Sequence, residues 1–216
     1  MINENQCHYI AFGVPGPVIT KYGKFFMVSA QVVGGKWGWH YCLIYPSLKE
    51  ALSRNEVFLR TDSGCLIGMA FGDTTCDCRD QLELTIKNCV ENGSGIIIEI
   101  PSQDGRGWGD YKMANQRLMD EFSINTVQAA KIFYGHENMI DRRTYDECIL
   151  ILKSLGFNKE HTFLLGTNNP NKIKAFTKYD FKIESQPVVA RHLNSVARSG
   201  LNAKAKEWGH ILEKAT

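Results

Sequence analysis

The chain lacks any apolar run long enough to cross a bilayer. Its longest, such as Gly95–Ile98 and Cys148–Leu152, fall far short of the roughly 20 residues a membrane helix needs. It lacks an excess of charge of either sign. The net charge is +2, so no strong field argues for nucleic acid or an anionic membrane as partner. It lacks a signal peptide in its polar opening, MINENQCHYI, and its cysteines are odd in number, seven, with three of them clustered. A disulfide framework is therefore not expected, and a soluble protein in a reducing, cytoplasmic compartment is. No internal repeat, low-complexity block or linker-like stretch divides the 216 residues. A single domain spanning 1–216 is expected, with 1–16 as an N-terminal arm ending in Val14-Pro15-Gly16-Pro17. What is present, 44% hydrophobic and 22% charged residues, is ordinary globular composition able to bury a core.

Periodicity predicts strands at Phe25–Val33 and His40–Tyr45, joined by the Gly34–Gly38 turn as a hairpin. A short helix is expected within Pro46–Asn55 and a strand at Glu56–Thr61. Arg79–Glu91 reads as a helix, because Leu82, Ile86, Cys89 and Val90 share one face. The continuous apolar run Gly95–Ile100 reads as a buried central strand. Helices follow at Tyr111–Phe122 and Thr144–Leu155, with a stretch of mixed character from Asn125 to Met139 between them. A strand at Thr162–Leu165, a helix opened by Pro170, a strand at Phe181–Val189 and a helix at Leu201–Leu212 complete the chain. Strands and helices alternate from residue 56 onward. The expected class is α/β, with α+β character: a mixed sheet flanked by helices.

The chemistry gathers around Cys65, Cys76 and Cys78, a C-x10-C-x-C pattern. Thiolates suit a borderline-soft ion such as Zn²⁺, and three protein ligands leave a fourth corner open for catalysis. Plain packing of buried cysteines, or a structural site completed by a distant ligand, are the alternatives. Cys7, Cys42, Cys89 and Cys148 read as packing residues. His40, His136, His192 and His210 have no spacing that makes any of them a ligand.

Three further segments sit where α/β folds hold ligands. The loop Asp104-Gly105-Arg106-Gly107-Trp108-Gly109 follows the central strand. Its glycines permit close backbone approach, Arg106 suits a phosphate, and Asp104 suits an acid, base or metal role. It is neither a Walker A nor a dinucleotide fingerprint. Of the tryptophans, Trp108 is the best placed to stack on a base; Trp37 and Trp39 read as packing. Gly166-Thr167-Asn168-Asn169-Pro170-Asn171-Lys172 opens a helix and favours an anion, or is a plain cap. Asp141-Arg142-Arg143 also precedes a helix, where a carboxylate commonly serves as a cap.

In this order, Cys65-Leu66 to Asp73, Cys76-Asp77-Cys78 with Gln81, Gln103-Asp104-Gly105-Arg106, Asp141-x-Arg143-x-Tyr145 and Thr167-Asn168-Asn169-Pro170-x-Lys172 resemble GTP cyclohydrolase II. The likeness runs from about residue 15 to 213, including Thr20 to Phe25 and a closing Lys204-Ala205 to Leu212. The resemblance implies a catalytic zinc on Cys65, Cys76 and Cys78, acting in hydrolytic attack on C8 of guanine with loss of formate. It implies nucleotide contacts from Arg60, Ser63, Gln81, Asp104, Gly105, Arg106, Thr126, Thr167 and Lys172. It implies Asp141 as proton acceptor and Arg143 as nucleophile on the α-phosphorus, releasing pyrophosphate. Mg²⁺ accompanying the triphosphate, a homodimer and a place in riboflavin synthesis are implied as well.

The family's R-V-H-S-E-C is here Arg60-Thr61-Asp62-Ser63-Gly64-Cys65. A histidine has become Asp62, and a glutamate able to read guanine has become Gly64. The glycine after the second C-x-C cysteine is Arg79, and the glutamate of E-G-R is Asp104. The tyrosine near the reacting carbon falls, by ungapped count, on Arg117, with Tyr111 more than a turn away. Two other readings follow: a paralogue that opens a different purine or pyrimidine nucleotide or stops at the formamide, and a zinc- and nucleotide-binding protein without catalysis. Retention of Asp141 and Arg143 argues against the last.

Overall fold

The computed structural model describes residues 9–109, 111–135, 140–190 and 193–212. Eight strands form one mixed sheet: β1 (Ile10–Phe12), β2 (Gly16–Thr20), β3 (Gly23–Val32), β4 (Trp39–Tyr45), β5 (Glu56–Asp62), β6 (Gly95–Glu99), β7 (Thr162–Gly166) and β8 (Lys182–Gln186). Their order is β1-β3-β4-β6-β5-β7-β8, with β2 also on β3. The β1, β2, β3 and β4 pairings are antiparallel, as is β4 with β6. β6, β5, β7 and β8 run parallel. The α/β expectation and the mixed sheet hold.

Both faces of the parallel half are covered, which is why its strands are apolar without alternation. On one face Val57, Leu59, Ile96, Ile98, Ile100, Phe163 and Leu165 pack under Cys148, Ile149, Ile151, Leu152 and Phe176. On the other, Phe58, Ile97, Leu164 and Phe25 pack against Cys89, with Leu82, Ile86 and Val90 of the same helix. Each fully buried Ile or Leu contributes roughly 1.5–3 kcal/mol. Cys42, Cys89 and Cys148 are packing residues as expected, all completely buried. Burial pushes the Cys42 and Cys89 thiols up to about 12, where they are inert.

The helices are α1 (Leu48–Leu52), α2 (Leu66–Met69), α3 (Cys78–Glu91), α4 (Tyr111–Phe122), α5 (Thr126–Tyr134), α6 (Asp146–Ser154), α7 (Pro170–Thr177) and α8 (Ser195–Trp208). Three expectations need correction. The arm is partly strand, since β1 and β2 both pair with β3; residues 1–8 lie outside the described part. The stretch of mixed character contains α5, closed at its start by an Asn125–Gln128 capping box and at its end by left-handed Gly135. The last helix starts six residues earlier than Leu201, because Asn194 caps it by accepting from the Ala197 N–H, and left-handed Gly209 stops it.

The parallel strands all end on one side. Asp62, Glu99, Gly166 and Gln186 are their last residues, and the loops that follow form the rim where an open α/β sheet holds its ligand.

Candidate active site

On that rim lies a cavity of about 390 Å³, lined by the loops after β5, β6 and β7 and by α4, α5 and α8. Every residue of the expected site lines it: Cys65, Cys76, Cys78, Arg60, Ser63, Gln81, Asp104, Gly105, Arg106, Thr126, Asp141, Arg143, Thr167 and Lys172. Residues up to 112 positions apart, Arg60 to Lys172, thus meet at one mouth.

The three cysteine sulfurs lie within 4.8 Å of one another. Cys65 Sγ and Cys76 Sγ are 3.9 Å apart, close to the roughly 3.8 Å that two corners of a tetrahedral zinc–thiolate site require. α2 backs directly onto them. A Cβ on Gly68 would stand 2.9 Å from Cys76 Sγ and 3.1 Å from Cys65 Sγ, so only glycine leaves the thiols room to converge. Cys78 is the first residue of α3; the neighbouring thiols and burial push its own thiol and that of Cys65 up, so one charge is concentrated on Cys76. Hydrogen bonds from Cys65 and Cys78 hold the Cys76 thiol far below its ordinary value, with the Lys112 charge adding to the effect. The donor set fits zinc.

Lys112 of α4 was not foreseen. Its Nζ donates to Cys65 Sγ at 2.8 Å and Cys76 Sγ at 3.1 Å, and pairs with Asp73 at 3.4 Å. Gln116, one turn on, donates to Asp73 Oδ2 and Thr75 Oγ1. Arg117, by contrast, is an exposed side chain paired with Glu121, and it does not line the cavity. α4 therefore presents Tyr111, Lys112, Asn115, Gln116 and Met119 to the site. Helical geometry turns position 117 to solvent.

Asp104 uses both carboxylate oxygens on backbone, accepting from the Leu66 N–H at 3.1 Å and the Gly105 N–H at 2.7 Å. It ties the glycine-rich turn to the cysteine helix while still lining the cavity. Gly105 and Arg106 are both left-handed, at φ 56° and 60°. That turn aims Arg106 inward, where it donates to Tyr111 Oη at 2.8 Å and Thr126 Oγ1 at 3.0 Å. Asn115 closes the ring by accepting from Tyr111 and donating to Thr126.

Arg143 forks onto Asp141 with two bonds, 2.8 Å to Oδ1 and 2.5 Å to Oδ2, and reaches Ser63 Oγ at 3.2 Å. Burial works to raise the Asp141 carboxyl, but the guanidinium outweighs it and leaves it below its ordinary value. Arg60 donates to Asp62, the Gly166 carbonyl and Gln81. Lys172 is buried in the cavity wall, donating to the Thr61 carbonyl. Burial and the Arg60 and Arg143 charges pull it down to about 7, so an arriving anion would restore its proton.

Gly64 has φ 63°, and a Cβ there would lie 2.4 Å from Pro101 Cα and 3.2 Å from the Glu99 carboxylate. No side chain fits at that position. Burial, with Asp62 beside it, pushes Glu99 up to about 8.

Two aromatic and histidine expectations are corrected. Trp108 stacks on Tyr134 at 4.5 Å under the Arg142 guanidinium and is not a cavity residue. Trp208, from the other end of the chain, lines the cavity instead, and so does His210. His40 is buried as a core residue, while His136 and His192 lie outside the described part. Trp37 is buried and Trp39 exposed.

The sequence matches the family model described as GTP cyclohydrolase II over residues 16–187. A GTP cyclohydrolase-2 of Campylobacter fetus subsp. fetus is 30% identical over 199 residues, 91% of this chain and 93% of that protein. One of Shigella boydii is 31% identical over 199 residues, 90% of this chain and 94% of the relative. One of Archaeoglobus fulgidus is 33% identical over 191 residues, 88% of this chain and 47% of the longer relative.

Proposed function

This chain belongs to the GTP cyclohydrolase II family, and from that premise we propose that it is a zinc-dependent hydrolase that opens the base ring of a nucleoside triphosphate, GTP before others, as a step of riboflavin synthesis. The observation that carries the reading is the sharing of one cavity by the three-thiol cradle and by Arg106 and Lys172, two cations with no carboxylate partner among the described residues.

Cys65, Cys76 and Cys78 would hold the ion. Bound there, zinc would supply the Lewis acidity that ring hydrolysis needs. Arg106, Lys172 and Thr167 bind the phosphates, and Mg²⁺ neutralises what they leave. Arg60, Ser63, Gln81, Gly105 and Thr126 line the nucleotide, while Asp104 holds the loop that carries Arg106. Arg143 acts on the α-phosphorus. The Asp141 fork holds Arg143 in its charged form and keeps its own carboxyl low, so Asp141 orients the guanidinium and would take its proton only as the bond to phosphorus forms and pyrophosphate leaves. A homodimer in the cytoplasm is part of the same reading.

A second reading, in which the chain opens another purine or a pyrimidine nucleotide or stops at the formamide, is favoured by Gly64. The family's glutamate for guanine cannot be accommodated there. The zinc-loaded protein should be incubated with each nucleoside triphosphate, and products identified by mass, released formate and released pyrophosphate. Ring-opened product from GTP with one formate per turnover is expected. Turnover of another nucleotide but not GTP would move the assignment to the second reading, and turnover of none would leave a binding protein.

A further inference from the structure

α8 is one wall of the cavity, and its sequence carries no phosphate-binding motif. It crosses all the other walls. Asn194, its cap, donates to the Thr74 carbonyl in the cysteine loop. Gly200 lies over Thr126. Trp208 stacks under the Arg106 guanidinium at 4.5 Å. Beyond the helix, the Ile211 N–H donates to the Asn168 carbonyl, and Glu207 pairs with Lys131 of α5 at 2.9 Å. One side of the helix thus faces the site, with Ala197, Leu201, Lys204, Trp208 and, just past its end, His210.

The cations of the cavity divide into two groups. Arg60, Lys112 and Arg143 each have a carboxylate within 4 Å: Asp62, Asp73 and Asp141. Arg106, Lys172 and Lys204 have none among the described residues. Three basic side chains brought from the β6 loop, α7 and α8 to one cavity, with no carboxylate in contact among the described residues and Asp62, Glu99 and Asp141 at longer range, gather positive charge that a polyanion would neutralise. The imidazole of His210 stands among them. Burial, then Lys204, Arg143, Lys172 and Arg106, keep it neutral, at about 3, so it adds no further positive charge.

We propose that Lys204 is a polyphosphate ligand, completing with Arg106 and Lys172 a three-cation clamp, and that α8 is part of the binding site rather than a C-terminal appendage. The proposal rests on the nucleoside triphosphate reading and extends it. It does not depend on which base is bound. The glycine-rich loop and the Lys172 helix would supply two of the contacts, and α8 the third. Each additional charge-assisted contact discriminates a triphosphate chain from a single phosphate.

Inorganic tripolyphosphate and orthophosphate, titrated into the zinc-loaded protein by calorimetry, test this without reference to the base. Lys204→Met should weaken tripolyphosphate binding roughly tenfold, the loss of one charge-assisted contact, and should flatten its salt dependence. Orthophosphate, which would sit on Arg106 and Lys172, should change in affinity by less than about twofold. Lys204→Arg should restore most of the loss. Lys206→Met, on the exposed side of the same helix, should match the parent protein. Equal tripolyphosphate binding by the parent and Lys204→Met, at equal thermal stability, overturns the assignment of Lys204 alone. Failure of the parent itself to bind tripolyphosphate overturns the nucleoside triphosphate reading, and this assignment with it.

Discussion

Gly68 shows how little space the metal cradle allows. The backbone of α2 passes so close to Cys65 and Cys76 that one methyl group would meet both sulfurs inside van der Waals contact. Gly68→Ala should therefore spread the thiols and lower zinc affinity by roughly tenfold or more, the range seen when ligand positioning is disturbed. The fold should survive, because the two main cores lie elsewhere. Zinc per chain after competition with a chelator checks this, and full retention of metal at parental affinity would show that the cradle can relax. The cysteines themselves were legible, since soft ligands two apart and eleven apart form a pattern no packing rule demands. Lys112 was not, and Lys204 and His210, though within the closing segment of the resemblance, were not placed at the site. A lysine at the thiols and a histidine at the mouth carry no local signature, and only tertiary contact reveals them. Arg117 was misplaced because counting along a chain ignores that a helix turns successive residues away from one another.

At the scale of elements, the β3–β4 hairpin braces the two loops on which the site depends. Its turn is fixed by Glu147 of α6, which accepts from the Lys36 N–H at 2.7 Å and the Trp37 N–H at 3.2 Å. The Trp37 indole donates to Thr144 Oγ1 at 2.7 Å, and its carbonyl accepts from Ser102. The ring lies under Gly107, whose Cβ would come within 2.8 Å of it. Lys36 Nζ donates to the Arg142 carbonyl at 2.8 Å. One buried side chain thus joins the Arg106 turn to the Asp141–Arg143 loop. Trp37→Phe keeps a ring there but deletes the donor to Thr144. It should cost on the order of 1 kcal/mol of stability, and it should lower turnover more than that loss explains, because both loops gain freedom. Denaturant midpoint and kcat, measured together, check the pair; a stability loss with unchanged kcat would make the brace structural only. The hairpin, the buried β6 run and α4 were all readable from period and turn chemistry. α5 was not, because Ile132 and Phe133 are exposed while Val127, Ala129 and Ala130 are buried, which gives nearly continuous apolar character in place of a stripe. β1 and β2 were hidden because short edge strands beside Pro15 and Pro17 look like loop.

For the molecule as a whole, the question is whether the metal serves chemistry or folding. Small domains with zinc-dependent folds hang their core on the ion. Here the sheet carries apolar cores on both faces, built from residues that are buried without reference to the cysteines. The loop from Cys65 to Cys78 connects the end of β5 to the start of α3 at the rim, and both elements are independently packed. Chelation should therefore abolish ring opening while leaving the far-ultraviolet circular dichroism spectrum and a single cooperative melting transition in place. The melting temperature should fall only by the linkage of one bound ion, about 2.7 kcal/mol of stability at a free metal concentration a hundred times the dissociation constant. Readdition of zinc should recover both. Loss of the cooperative transition on chelation would mean the ion is structural, and the open fourth position on which the catalytic reading depends would then have to be filled by a ligand of the protein's own.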